Sequence, residues 1–288
     1  MRRFEELARA MKVRALRSGL RLLGRSAPAL AGRWATDLFL ATRRRGTGLA
    51  PGVPLGATAM PVGGAPGREA YVWGKRGSIV LLVHGWGADS GAMCSLVRPL
   101  RERGCRVVAF DAPAHGANQG RHTTMTDFVA SVRDVLDKFE PAAEVRAVVG
   151  HSLGGLAAVA ALGAARRLPE RLVLLSAPSS LNEALRSFVA HWGITPPVEQ
   201  RIREELSRSH GVPIEHWDVR TLADRDRFPA LVIHDRDDVF VPFGEASVVA
   251  QALGASARVE LTEGLGHARI LADRRTTSLV ADFVAAAA

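Results

Sequence analysis

From residue 78 to the end of the chain, short apolar runs alternate with helical patterns, and that alternation permits few architectures. Residues 78–83, 106–110, 145–149, 171–175 and 230–234 are rich in Val, Leu and Ile, and 257–261 reads as a last strand. Apolar residues at helical spacing occupy 92–103, 125–139, 156–165, 245–253 and 273–287. A strand that is apolar on every residue needs cover on both faces. A strand joined to its neighbour through a helix runs parallel to it. The expected fold class is therefore α/β, with a mostly parallel central sheet and helices on both faces. Upstream, 68–74 alternates and reads as an edge strand, and 57–61 as a short strand before it. The rhythm breaks at 179–228, where helical patterns at 181–192, 197–209 and 214–222 succeed one another without a clear strand. This stretch carries Phe188, Trp192 and Trp217 and is read as a small helical cap over the sheet edge. The expected division is a helical arm and connector over 1–52 and one domain over 53–288, with its cap at about 179–228.

The 145–149 run ends in Gly150-His151-Ser152-Leu153-Gly154-Gly155, and an alanine-rich helical pattern follows at once. Such a strand–turn–helix is too tight for side chains on both flanks, and glycine at 150 and 154 removes the Cβ atoms that would clash. Ser152 then occupies a strained tip with its hydroxyl pointing out of the sheet top. A helix N-terminus lies beside it, where unpaired N–H groups favour developing negative charge. The letters G-x-S-x-G are weak on their own, because a serine capping an ordinary helix writes the same pattern. Partners for the serine must be found elsewhere.

The formal net charge of +9 invites a nucleic-acid reading, but its location argues against one. Residues 1–45 hold twelve of the 38 Lys/Arg and three of the 29 Asp/Glu, which accounts for the whole excess and leaves the remaining chain balanced. Phe4, Leu7, Met11, Leu16, Leu20 and Leu23 give this segment a helical apolar pattern that arginines interrupt. It has neither an apolar run long enough to span a membrane nor the uninterrupted centre of a signal peptide. Two readings stay open: a helical arm packed on the body, or a basic amphipathic helix on an anionic membrane surface. No aromatic interleaving or recognition motif supports nucleic acid as a partner. Cys94 and Cys105 lack any metal-ligand spacing and suit a reducing compartment. The expected location is cytoplasmic, with peripheral contact at the inner membrane face as the arm's second reading.

Five motifs now stand in order: His84-Gly85-Trp86-Gly87, Asp111-Ala112-Pro113-Ala114-His115-Gly116, the Ser152 elbow, the stretch from His234 to Pro242, and Gly264-Leu265-Gly266-His267. Together they cover 78–270 and resemble the α/β-hydrolase fold superfamily. The resemblance implies that fold and a serine nucleophile. It names no substrate, since one fold hosts many reactions.

The chemistry can be followed residue by residue. A serine hydroxyl is a poor nucleophile at neutral pH and needs a neighbouring base. His267, on a glycine-rich loop after the last strand, is the best placed. The alternatives are His84, His115, His151 and His234. The resemblance assigns His84 and His151 structural places and His115 a loop motif. Asp111 and His115 are expected to order their loop, and His122 sits in a polar loop. The imidazole needs a carboxylate to fix its tautomer, and the loop after 230–234 offers Asp235, Asp237 and Asp238. In the resembling pattern the acid lies four residues past the strand end and just before a Val-Pro. That position is Asp238, with Asp237 the alternative. The order Ser, Asp, His is the one this fold uses. An oxyanion hole requires two preorganised donors. One is the backbone N–H of Leu153, after the nucleophile, and the resemblance makes the other that of Trp86. The Trp86 indole either walls the acyl pocket or packs under the cap.

No metal or cofactor motif is present, neither H-E-x-x-H nor a phosphate loop nor G-x-G-x-x-G after a strand, so no cofactor is expected. The expectation is a carboxylesterase-like serine hydrolase. It would cleave an ester-like bond of a small apolar acyl substrate through an acyl-enzyme intermediate. Thioesters, lactones and C–C bonds yield to the same machinery, and a non-catalytic binding protein of this fold is the alternative from another class. A serine at the elbow argues against haloalkane dehalogenation, which needs a carboxylate there. The partner is a small molecule, and the oligomeric state stays open.

Overall fold

The computed structural model describes residues 16–42, 53–63, 68–139, 144–163, 165 and 167–286. Of the expected helical arm and connector over 1–52, residues 1–15 and 43–52 lie outside them. One sheet in the order β1-β2-β4-β3-β5-β6-β7-β8 organises the molecule. β1 (Thr58–Pro61) and β2 (Glu69–Trp73) are antiparallel additions to β4 (Arg106–Phe110). β3 (Ile79–Val83), β4, β5 (Val145–His151), β6 (Arg171–Leu175), β7 (Ala230–Asp235) and β8 (Ala257–Thr262) are parallel. The stretch 68–74, expected at the edge, lies inside the sheet, because β1 pairs with its far side. Its alternating letters record the polar Arg68 and Glu69, while Ala70 to Trp73 are all buried.

The pleat sends successive residues of each strand to opposite faces. Val80, Leu82, Val149 and Ile233 meet Met93, Leu96 and Leu100 from 90–102 and Val280 and Val284 from the closing helix. Leu81, Val83, Val148 and Leu174 face the other way, toward Phe128, Val132, Leu156 and Val249. Helices α4 (Met125–Phe139), α5 (Leu153–Gly163) and α9 (Glu245–Leu253) cover this second face. The segment expected as one helix over 92–103 is a 3-10 turn at Ser90–Leu96, capped by Asp89, that leads into α3 (Val97–Glu102).

Between β6 and β7 lie α6 (Leu181–Trp192), α7 (Pro196–His210), a 3-10 turn (Ile214–His216) and α8 (Val219–Leu222). Leu181 N–H donates to Trp217 O and Val219 N–H to Ser179 O, which ties the two ends of this insertion together. The arm forms α1 (16–26) and α2 (Pro28–Leu40). α2 lies along α7, with Gly32 so close that a Cβ there would come within 2.3 Å of the Arg201 Cβ. Leu20, Ala31 and Ala35 join the same buried cluster as Val198, Ile202 and Leu206. Leu22, Leu30 and Trp34 remain exposed. Among the described residues no helix is long and apolar enough to cross a membrane.

Candidate active site

β5 runs to His151, two residues past the apolar run, and α5 begins at Leu153, so Ser152 alone makes the turn. Its φ is +53°, a left-handed conformation that a residue with a Cβ adopts only when its surroundings hold it there. The Ser152 N–H donates to Leu175 O at 2.9 Å, which pins the turn to the end of β6. A Cβ on Gly154 would come within 2.0 Å of His84 O, and one on Gly85 within 3.0 Å of the Ser152 Cβ. Glycine at these places lets the 84–87 loop press against the elbow.

β7 and β8 deliver the other two side chains. His267 Nδ1 lies 2.7 Å from Asp238 Oδ2, and His267 Nε2 lies 3.0 Å from Ser152 Oγ. A carboxylate only accepts, so the ring proton sits on Nδ1 and Nε2 presents its lone pair to the serine hydroxyl. Asp238 Oδ1 accepts the N–H groups of Phe240 and Val241, and His234 Nε2 stands 3.4 Å from Oδ2. Burial pushes this carboxyl up, but hydrogen bonds from His234 and His267 outweigh it and hold it well below the usual carboxylate range. The Asp238 side chain is fully buried while the His267 side chain keeps 17% of its surface exposed. Only the imidazole end of the pair faces the solvent-accessible side.

The two other carboxylates offered by this loop have different jobs. Asp235 ends β7, fully buried, and accepts from Thr262 Oγ1 and from the N–H groups of Asp237, Leu265 and Gly266. Asp237 is exposed and accepts the Gly264 N–H at 2.8 Å. Both hold the loop that carries His267 to its post. His151 adds a third brace, since its Nε2–H donates to His267 O at 2.9 Å. The resemblance implies a structural place for His151, while the letters gave no sign of the bracing by Asp235 and Asp237. His267 itself lies in a short helical turn (Gly266–Arg269), not in an open loop.

The 84–87 loop is held by two histidines that reach across to each other's loops. His84 Nδ1–H donates to Gly85 O at 2.8 Å, and its Nε2 accepts the Ala112 N–H. His115 Nδ1–H donates to Pro113 O, and its Nε2 accepts the Gly87 N–H at 2.9 Å. Asp111 organises the second loop by accepting from Ser90 and Ala117 N–H. The Gly85 carbonyl held by His84 and the Trp86 N–H belong to one peptide plane. That bond therefore also orients the Trp86 N–H. Leu153, first in α5, has an N–H with no acceptor inside its helix. Among the described residues neither N–H has another protein partner.

Burial keeps His84, His115 and His151 uncharged. It lowers His84 below its ordinary value and brings His115 and His151 to about 3, with a neighbouring histidine pushing the same way in both. The unfolded chain takes up these protons near 6.5. The unfolded state thus binds more protons below that pH, so the stabilisation is complete above 6.5 and is lost as pH falls toward the folded values. Unfolding free energy should drop by about 1.4 kcal/mol per pH unit for each of His115 and His151, with His84 adding in the same direction. Urea titrations from pH 7 to 4.5 test this, and a flat profile contradicts three neutral buried rings.

Among the described residues no group of His, Cys, Asp and Glu is arranged to hold a metal ion. A mostly parallel sheet in this order, with a serine on a left-handed turn and a histidine–carboxylate pair facing it, is the framework of a hydrolase. A model described as the alpha/beta hydrolase family matches residues 80–279, and the chain belongs to that family. It is 27% identical over 252 residues to a pimeloyl-[acyl-carrier protein] methyl ester esterase of Chromobacterium violaceum, covering 74% of this chain and 94% of that protein. A serine hydrolase-like protein of Danio rerio matches at 36% over 92 residues, 30% of this chain, and the chain spans about a quarter of that relative's length, 27%. Among solved structures, the esterase Pf2001 of Pyrococcus furiosus superposes with a TM-score of 0.64 at 16% identity, over 85% of this chain and 96% of that one. That likeness speaks for the fold.

Proposed function

We propose that the protein is a carboxylesterase-like serine hydrolase that cleaves an ester-like bond of a small apolar acyl substrate through an acyl-enzyme. The observation that carries this reading is His267 standing between Asp238 and Ser152 at 2.7 and 3.0 Å. In this mechanism Ser152 Oγ attacks the carbonyl carbon as its proton passes to His267 Nε2. Asp238 stays ionised and stabilises the imidazolium. The carbonyl oxygen becomes an oxyanion, which the N–H groups of Trp86 and Leu153 bind. Collapse expels the alcohol, which takes the proton from Nε2. Water then attacks the acyl carbonyl with His267 as base, and release of the acid returns the proton to Ser152.

An apolar acyl group is supported by the aromatic side chains near the pair. The Phe240 ring lies 5.5 Å from that of His267, and Trp86, on the loop beside the elbow, packs against Phe39, His115 and Phe128. The esterase names of relatives support an ester as the bond cleaved. Labelling with a fluorophosphonate probe, followed by peptide mapping, tests the assignment. Modification of Ser152 with parallel loss of p-nitrophenyl ester turnover is the expected result. A folded protein that resists the probe and turns over no acyl ester returns the fold to its non-catalytic, binding reading.

A further inference from the structure

The end of the arm reaches the active-site loops. The Thr42 hydroxyl donates to Ala114 O at 2.5 Å, and the Thr42 N–H to Arg121 O at 2.9 Å. Asp37 pairs with His122 at 2.8 Å, on the same stretch. Ala114 has a φ of +62°, a conformation alanine does not favour, so this turn depends on outside support. The next residue is His115, whose Nε2 takes the Gly87 N–H. Phe39 supplies a second contact, its ring 6.5 Å from that of Trp86 and 5.1 Å, edge-on, from that of Phe188 in the cap. Two routes therefore run from the arm to Trp86, one through bonds to the Trp86–Gly87 peptide and one through packing on the Trp86 ring. The arm lies outside the stretch 80–279 that matches the family.

We propose that the N-terminal arm is a strap that holds the Trp86 N–H in position for the oxyanion, with Thr42 and Phe39 as its positioning residues. The proposal rests on the reading of Trp86 as an oxyanion donor. A donor helps only where the oxyanion forms, so loosening it raises the barrier without weakening substrate binding. Neither Thr42 nor Phe39 takes part in the chemistry. Their effect must come through the geometry of the 84–87 loop.

The test uses the full chain as wild type, Thr42→Val, Thr42→Ser and Phe39→Leu. The readouts are kcat and KM on a short p-nitrophenyl ester and Ki for an aryl trifluoromethyl ketone, which forms a tetrahedral adduct with the serine. Thr42→Val and Phe39→Leu should lower kcat about tenfold and raise Ki by a similar factor. KM should stay within about twofold, and Thr42→Ser should restore wild-type values. Should Thr42→Val fail to fold, Phe39→Leu carries the same comparison. Values of kcat and Ki unchanged in the folded variants overturn the strap. So does a loss confined to KM, or one that serine at 42 does not recover. A wild type that turns over ester yet does not bind the ketone overturns the oxyanion reading itself, and the strap with it.

Discussion

Ser152→Ala is expected to lose ester turnover by about a million-fold while the protein stays folded. The change removes one hydroxyl and keeps the Cβ, so the turn loses no packing, and stability should move by less than about 1 kcal/mol. Among the described residues no other hydroxyl is bonded to His267 Nε2. Ser176, the other buried serine at a strand end, is held at the tip of β6, where its N–H is bonded to Ile233 O. The variant should still bind substrate, because KM-type contacts do not involve the hydroxyl's proton. Steady-state rates on short p-nitrophenyl esters, with circular dichroism on the same samples, give the result. Activity within a hundredfold of wild type in a folded variant removes the serine from the reaction.

Asp238→Asn should cost about four orders of magnitude in kcat. The side-chain oxygen can still accept the Phe240 and Val241 N–H groups, so the loop is retained. The amide nitrogen, however, must then face His267 Nδ1. An NH2 group donates, which drives the ring to carry its own proton on Nε2, the atom that has to be empty to take one from serine. The loss should therefore be accompanied by a change of His267 tautomer, visible in nitrogen-15 spectra of the ring. The same change at Asp237 should be mild, since its carboxylate is exposed and, among the described residues, accepts only the Gly264 N–H. A larger loss at 237 than at 238 reverses the assignment of the acid.

The contrast among these carboxylates shows how much was legible in the sequence. Asp235, Asp237 and Asp238 are three identical letters within four positions; the resembling pattern singled out Asp238 by its spacing from the strand and its Val-Pro, but it left Asp237 one step away and gave no role to Asp235. Their roles follow from depth: Asp235 sits at the buried end of β7, Asp237 in solvent, and Asp238 where the chain turns back beneath His267. The parallel strands, by contrast, were readable because burial on both faces writes itself as unbroken Val, Leu and Ile. The elbow was readable because close backbone approach admits only glycine. The order of strands was not, since pairing depends on partners far along the chain. β2 was read as an edge for that reason. The docking of the arm was equally hidden, because a face that meets α7 and a face that meets lipid need the same apolar spacing. For the crossed histidines the resemblance implied structural places, but not which backbone groups they grip, as a ring that grips a neighbouring backbone looks no different in sequence from one that packs.

The antiparallel β1–β2 pair has a consequence for anyone trimming this protein. The family match opens at residue 80, inside β3. A fragment cut there would uncover the long side of β4 that Ala70 to Trp73 now pair with. A bare strand of that kind offers its N–H and C=O groups to any similar strand. Such a fragment should clump through edge-to-edge contact even though every residue of the candidate active site would still be present.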